Sequence, residues 1–478
     1  MDISVTPQAA AESSSGTIVV GVFDDRPGIL EPFGLERLLS GGVAKPDFRH
    51  LAVAPRGDQW VIVVGLGAAD AFDAERARIA AALVRRRAVE LGTEELCWQL
   101  PEGAGEAIAA AIVTGTILGA YRFDRYKPAG DPVVPLRLTL AGGGDGHADA
   151  AARAKVLTEA QNRARDLANA PPNLMTPSAL AEYAVAVADR HDAVFATVFD
   201  GAEIRSMGMG AFAAVAQGSD TPAKLIALTY EPAAAAGGRR LALIGKAVTF
   251  DSGGYWLKPT TSQITMKFDM AGGAAVIEAV AALAQLQAPV RVLAVVGATE
   301  NMISGAAMRP GDILTALDGT TIEMNNSDAE GRLVLADCIT WAKREGCDAI
   351  VDIATLTGAA EVALGPVYAA VLSNDDDLCA LALRSGERTG ERLWRLPLDP
   401  GYAEMVKGRY AQVANRTERR GAGASTAAEL LHHFVGDTPW AHLDIAGVSD
   451  NAGAGRDYLD KGGTGFGVRL LAELALSF

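Results

Sequence analysis

A chain of 478 residues is too long for one ordinary hydrophobic core, so two or three domains are expected. Hydrophobic residues at 49% and charged residues at 21% describe a soluble globular protein. The net charge, 43 − 58 = −15, counts against a nonspecific grip on nucleic acid or anionic lipid. Cys97, Cys338, Cys347 and Cys379 form no CxxC pair and suggest neither a disulfide scaffold nor a zinc ribbon, which fits a reducing cytosol. The opening "MDISVTPQAAAESSSGTIVV" has no basic or apolar segment of the kind a secretory signal needs. The apolar stretch 107–121 falls short of the ~18 residues that span a bilayer and reads as a buried helix. A cytoplasmic protein with no membrane association is expected.

Strands are predicted at 17–23, 60–67 and 133–140, with Ala/Arg-rich helices at roughly 71–90 and 104–119 between them, an α/β alternation. "AGGGDGHADA" (141–150) reads as a Gly-rich turn or linker, followed by a long helix through 151–170. A second helix follows, with Thr176 as N-cap and Pro177 at the first helical position. Beyond it, strands at 223–230, 239–250, 290–299 and 348–356 alternate with helices at 272–287 and 331–346. These strands are nearly continuous hydrophobic runs, as a sheet covered on both faces requires. The expected fold is α/β: a small N-terminal α/β domain over 1–155, and a larger C-terminal α/β domain over 156–478. The larger domain has a central mixed, mostly parallel sheet flanked by helices.

"NNSDAEGRLVLAD" (325–337) places Asp328, Glu330 and Arg332 two apart. As helix, Asp328 and Arg332 form an i, i+4 pair worth a few tenths of a kcal/mol. As extended chain, all three side chains point one way, because the strand period is two. Upstream, Lys246, Asp251, Lys258 and Asp269 begin at the carboxyl end of a predicted strand, the edge where open α/β sheets place their sites. Gly253 and Gly254 let the backbone turn tightly beside the acid. Four clustered carboxylates cannot all stay ionised without cations. Two lysines and an arginine supply part of the balance, and divalent Mn²⁺, Mg²⁺ or Zn²⁺ suits the remaining oxygen-rich donor set.

Together these segments resemble the leucyl (cytosol) aminopeptidases, a family of di-metal peptidases. The family's signature usually reads NTDAEGRL, and Asn326 to Leu333 match it with Ser327 in place of threonine. "RPGD" (309–312), "DIATLTGA" (352–359), "PWAHLDIAG" (439–447) and "GTGFGVRLL" (463–471) match as well, so the likeness covers residues 165–478, with the N-terminal part matched only loosely. "SGGYWLKP" departs from the family pattern by an aromatic pair, Tyr255 and Trp256. The resemblance implies two divalent ions per subunit, Mn²⁺ or Zn²⁺: one held by Lys246, Asp251, Asp269 and Glu330, the other by Asp251, Asp328 and Glu330. It implies a metal-activated water attacking the first peptide carbonyl, with protonated Lys258 stabilising the developing oxyanion and a bicarbonate at Arg332 as general base. A planar anion suits a guanidinium. Met266 and Thr355 would line the pocket for the first side chain, with Leu-like residues preferred. Substrates would be peptides with a free N-terminus. A homohexamer is implied, with the N-terminal domain macro-like and serving assembly or regulation. A DNA-binding regulatory role on the peptidase scaffold is the alternative, and the acidic balance weighs against nucleic acid.

Other features carry bland readings. "VGLGAAD" (64–70) lacks the third glycine of a dinucleotide fingerprint and reads as a tight turn. His432, His433 and His442 lack an HExxH frame and read as structural. The cysteines read as small buried hydrophobes, and "VRRR" (84–87) as a solvated helix face.

Overall fold

Seven consecutive buried residues in Thr17–Phe23 and a buried run through most of Gln59–Gly67 form the middle of a six-stranded sheet. Its order is Asp2–Thr6, Arg137–Ala141, Glu95–Gln99, Thr17–Phe23, Gln59–Gly67, Leu51–Arg56. Every neighbouring pair is parallel except the last. The computed structural model describes residues 1–25, 27–128, 136–452 and 458–478. The part of the expected strand 133–140 at 133–135 lies outside them, and the strand described begins at Arg137. Helices Ala74–Glu90 and Glu106–Gly119 cover this sheet and share its core with Ile62, Val64 and Trp98.

The chain divides into two units, residues 1–159 with 458–460 and residues 160–452 with 461–478. The division falls inside helix Asp145–Asn169. That helix starts within the stretch expected to be a linker. Asp145 sits favourably in the first turn and the alanines that follow are strong helix formers. The return of 458–460 to the first unit was not legible in the sequence; there Tyr458 is fully buried and its hydroxyl donates to the Glu75 carboxylate. Arg85, expected on a solvated face, is instead buried. Its helix packs that side into the unit, while Arg86 and Arg87 remain wet.

The larger unit is built on an eight-stranded sheet. Its order is Leu393–Arg395, Ala369–Ser373, Trp440–Asp444, Ala349–Ala354, Arg240–Asp251, Arg291–Asn301, Lys224–Tyr230, Val194–Asp200. The four strands from Trp440–Asp444 to Arg291–Asn301 run parallel, so their carboxyl ends lie along one edge. Antiparallel pairings flank this parallel block. Helix Ala271–Gln285 covers one face, with every residue from Ala271 to Leu283 buried. The apolar segment Met266–Gln285 is long enough to cross a membrane, but 89% of its apolar window is buried inside this unit, which makes it a core helix. Thr176 caps helix Pro177–Ala188 by accepting from the Ala179 N–H, and Pro177 opens that helix.

Candidate metal centre

The carboxyl edge of the parallel block gathers the charged residues. Asp251 ends strand Arg240–Asp251, beside Asn301 at the end of its neighbour. Lys246 rises from the interior of the same strand. Asp269 sits in the single helical turn Met266–Met270 that feeds helix Ala271–Gln285. Asp328 lies in a turn and Glu330 caps helix Gly331–Arg344, in which Arg332 is the second residue. The signature is therefore neither one helix nor one strand. A turn running into a helix brings the two carboxylates together, and Arg332 leaves on the helix.

One oxygen each from Asp251, Asp328 and Glu330 lies within 4.8 Å of the others. Lys246 Nζ lies 2.8 Å from Asp269 Oδ1, 2.8 Å from Glu330 Oε1 and 3.0 Å from the Thr355 carbonyl. Lys258 Nζ lies 2.8 Å from Asp251 Oδ2 and 2.5 Å from Asp328 Oδ1. All of these groups, with Met266 and Thr355, line one cavity of about 580 Å³. The Thr355 hydroxyl is not free within it, because it donates to Asp269 Oδ1 at 2.6 Å.

Gly331 is required by this arrangement. A Cβ there would lie 2.7 Å from Lys246 Cε and 2.8 Å from Nζ, closer than real Cβ contacts come. Gly253, at φ +86°, turns the chain so that its N–H donates to Asp251 Oδ1 at 2.8 Å.

The electrostatics show a cluster short of positive charge. Four ionised carboxylates against two ammoniums leave a net of −2. Burial, then Glu330 and Asp269, push the Asp251 carboxyl well above the ordinary range. Burial pushes Asp269 up to about 6 against the pull of Lys246. Burial and Glu330 raise Asp328. Burial would also raise Glu330, but Lys246 and Lys258 outweigh it and hold that carboxylate low. Burial works against both ammoniums, and the surrounding carboxylates reverse it, so both are held in the charged form. Among the described residues, the buried oxygens Asp269 Oδ2 and Glu330 Oε2 have no hydrogen-bond partner, and Asp328 Oδ1 has only its ion pair with Lys258. Such atoms are costly unless something binds them. An oxygen-rich donor set with unpartnered carboxylate oxygens fits a divalent cation.

Arg332 is placed apart from this cavity. It lines a second one of about 620 Å³, which shares Asp328 with the first. Its Nη1 donates to the Asn415 carbonyl at 2.8 Å, its Nε has no partner among the described residues, and burial draws its pKa down to about 10.

Several supporting residues were given no role from the sequence, although Ser327 and Asp444 lie in its matched motifs. Asn415 accepts from the Asn325 and Asn326 N–H groups and donates to the Asn326 and Ala329 carbonyls, fixing the turn that carries Asp328. Asn301 Nδ2 donates to Asp251 Oδ1 at 2.7 Å and to the Ser327 carbonyl at 2.9 Å. Asp444 accepts from the Leu356 and Thr357 N–H groups and the Thr357 hydroxyl, setting the loop between the two cavities. Ser327 uses the hydroxyl that replaces the family's threonine to donate to the Gly253 carbonyl at 2.6 Å. The histidines keep away: His442 is buried in the sheet against Asp352 at 2.6 Å, and His432 lies beside Glu429. The four cysteines are free thiols, three of them buried.

A carboxylate and lysine cluster on the carboxyl edge of a mixed sheet, with oxygens left for a cation, defines a two-unit α/β protein with a candidate divalent-metal centre. The profile of the cytosol aminopeptidase family catalytic domain matches residues 162–472, and that of the family's N-terminal domain matches 49–129. A probable cytosol aminopeptidase of Roseiflexus castenholzii is 43% identical, over 99% of this chain and 98% of that one. Its counterpart in Solibacter usitatus is 40% identical over the full length of both. The bottromycin maturation enzyme BotP in complex with Mn superposes with a TM-score of 0.88 at 34% identity, covering 97% of this chain and 99% of that one. The chain belongs to the cytosol aminopeptidase family. Metal-dependent aminopeptidase activity is the class that this membership supports.

Proposed function

We propose that the chain removes the N-terminal residue from peptides, with Leu-like residues preferred, using two divalent ions held by Lys246, Asp251, Asp269, Asp328 and Glu330. The observation that carries this reading is the convergence of four carboxylates and two lysines, with Asp269 Oδ2 and Glu330 Oε2 buried and unpartnered among the described residues. Manganese in the BotP complex supports Mn²⁺, with Zn²⁺ the other candidate. Bound ions supply an activated water and polarise the scissile carbonyl.

The chain's own groups do the rest. Lys246 would become a ligand only by giving up one of the ammonium protons it now directs at Asp269, Glu330 and the Thr355 carbonyl. Lys258, held in its charged form between Asp251 and Asp328, is placed to stabilise negative charge developing on the carbonyl oxygen. Met266 and Thr355, which line the cavity, would flank the first side chain. Arg332, whose Nε has no partner among the described residues, would hold a bicarbonate, and that anion would supply a general base. A homohexamer in the cytoplasm completes the proposal, and light scattering tests the assembly.

The decisive experiment is removal of metal. Dialysis against a chelator should abolish hydrolysis of leucine amide, and Mn²⁺ or Zn²⁺ should restore it. Turnover by verified metal-free protein would end this reading.

A further inference from the structure

The cavity of about 620 Å³ meets the metal-centre cavity along Asp328, Leu356, Thr357 and Gly358. Met266, Thr355 and the carboxylate cluster line the first cavity; with the first side chain assigned there as proposed above, the second cavity is left for whatever follows the scissile bond. Its outer wall carries Arg416, Arg419 and Arg420, between the short strand Val413–Ala414 and helix Gly423–Val435. Its inner wall carries the buried Arg332. Four guanidiniums face only Asp328 and Glu418 among its lining acids, in a chain whose net charge is −15.

The outer arginines are not spent on structure. Among the described residues, Arg416, Arg419 and Arg420 make no ion pair; Arg416 instead lies over the Trp256 ring at 4.8 Å. The Trp256 backbone N–H donates to Ser327 Oγ at 2.7 Å, which holds the chain from which the half-exposed ring projects. The aromatic residue that departs from the family pattern therefore holds one guanidinium at the cavity wall. Like charges gathered in one cavity repel, and an anion relieves them. A guanidinium with its hydrogens unspent takes a carboxylate through two parallel hydrogen bonds.

We propose that this cavity binds the leaving part of the substrate and selects a carboxylate there, through Arg416, Arg419 and Arg420. The inference rests on the aminopeptidase reading. The carboxylate has two sources: the C-terminus of a dipeptide, or an acidic side chain on the second residue of a longer peptide.

Two matched pairs of substrates separate them on the metal-loaded full chain. Leu-Gly against Leu-Gly-amide reports the terminal carboxylate. Leu-Asp-amide against Leu-Asn-amide reports the side chain. The charged member of at least one pair should show a kcat/KM about two- to fivefold higher, the range expected of partly exposed ion pairs. That ratio should fall towards one with added salt, and in the Arg416→Gln/Arg419→Gln/Arg420→Gln variant. If the triple variant misfolds, Arg419→Gln/Arg420→Gln and the salt titration of the unaltered chain give the same answer. Equal rates within both pairs, or a preference that survives the substitutions and salt, would overturn the inference. Failure to hydrolyse any of the four substrates would overturn the aminopeptidase reading itself, and this inference with it.

Discussion

Gly331→Ala is a one-carbon change aimed at Lys246. The new Cβ would lie 2.8 Å from Nζ, 0.6 Å short of the 3.4 Å at which ordinary van der Waals contact begins. Cε and Cδ are equally close, at 2.7 and 2.8 Å, so rotating the last bond relieves nothing. Lys246 is only 3% exposed and tied to Asp269, Glu330 and the Thr355 carbonyl, so it has nowhere to go. Overpacking of this kind costs about 1–3 kcal/mol, against which alanine's helix propensity returns at most about 1 kcal/mol. The expected net destabilisation is about 1–2 kcal/mol. The displaced amine should also weaken metal binding about tenfold or more, since misplaced ligands degrade a metal site. Urea unfolding gives the first quantity, and calorimetric titration with Mn²⁺ the second. Unchanged stability and unchanged Mn²⁺ affinity together would show that Lys246 has slack, and the argument for a rigidly placed ligand would fail.

Lys258→Ala should lower kcat about a hundredfold or more while elemental analysis finds the same bound metal, because the ammonium stabilises charge rather than ligating. A large loss of metal in that variant would show its role to be misassigned. Asn415→Ala strips partners from four backbone groups around Asp328, so a destabilisation of about 2–4 kcal/mol and a fall in kcat/KM are expected. Wild-type denaturation and turnover would count against its placing role. Asp337, buried in helix Gly331–Arg344, has its carboxyl pushed up to about 7 by burial, despite accepting the Phe212 and Leu317 N–H groups. The folded state therefore keeps a proton that the unfolded chain has lost above the ordinary value of 3.8. Stability should fall as pH rises from about 4 to about 7, and Asp337→Asn should flatten that part of the stability profile measured by urea unfolding. An identical slope in the variant would remove Asp337 as the cause.

The α/β class and most of the central elements were legible because periodicity and buried apolar runs are local properties. Thr176 and Pro177 announced their helix, and strand Arg240–Asp251 announced itself by hydrophobicity alone. The charged residues Lys246, Asp251, Lys258, Asp269, Asp328 and Glu330 were legible by their cost: such groups among strand ends and glycines need partners. What the sequence could not supply was the route by which they meet. Alternation left helix and extended chain both open at Asp328 and Glu330, and the structure uses a turn and a helix start. That choice is made by Asn415, about ninety residues downstream, whose amide satisfies the turn's backbone. The guanidinium wall of the second cavity was equally hidden, because Trp256 and Arg416 come together only through tertiary packing. Composition and local pattern fix which segments form strands and helices and which charges are expensive. Only the folded chain decides which distant backbone groups those side chains satisfy, because hydrogen bonds between remote segments leave no periodic trace.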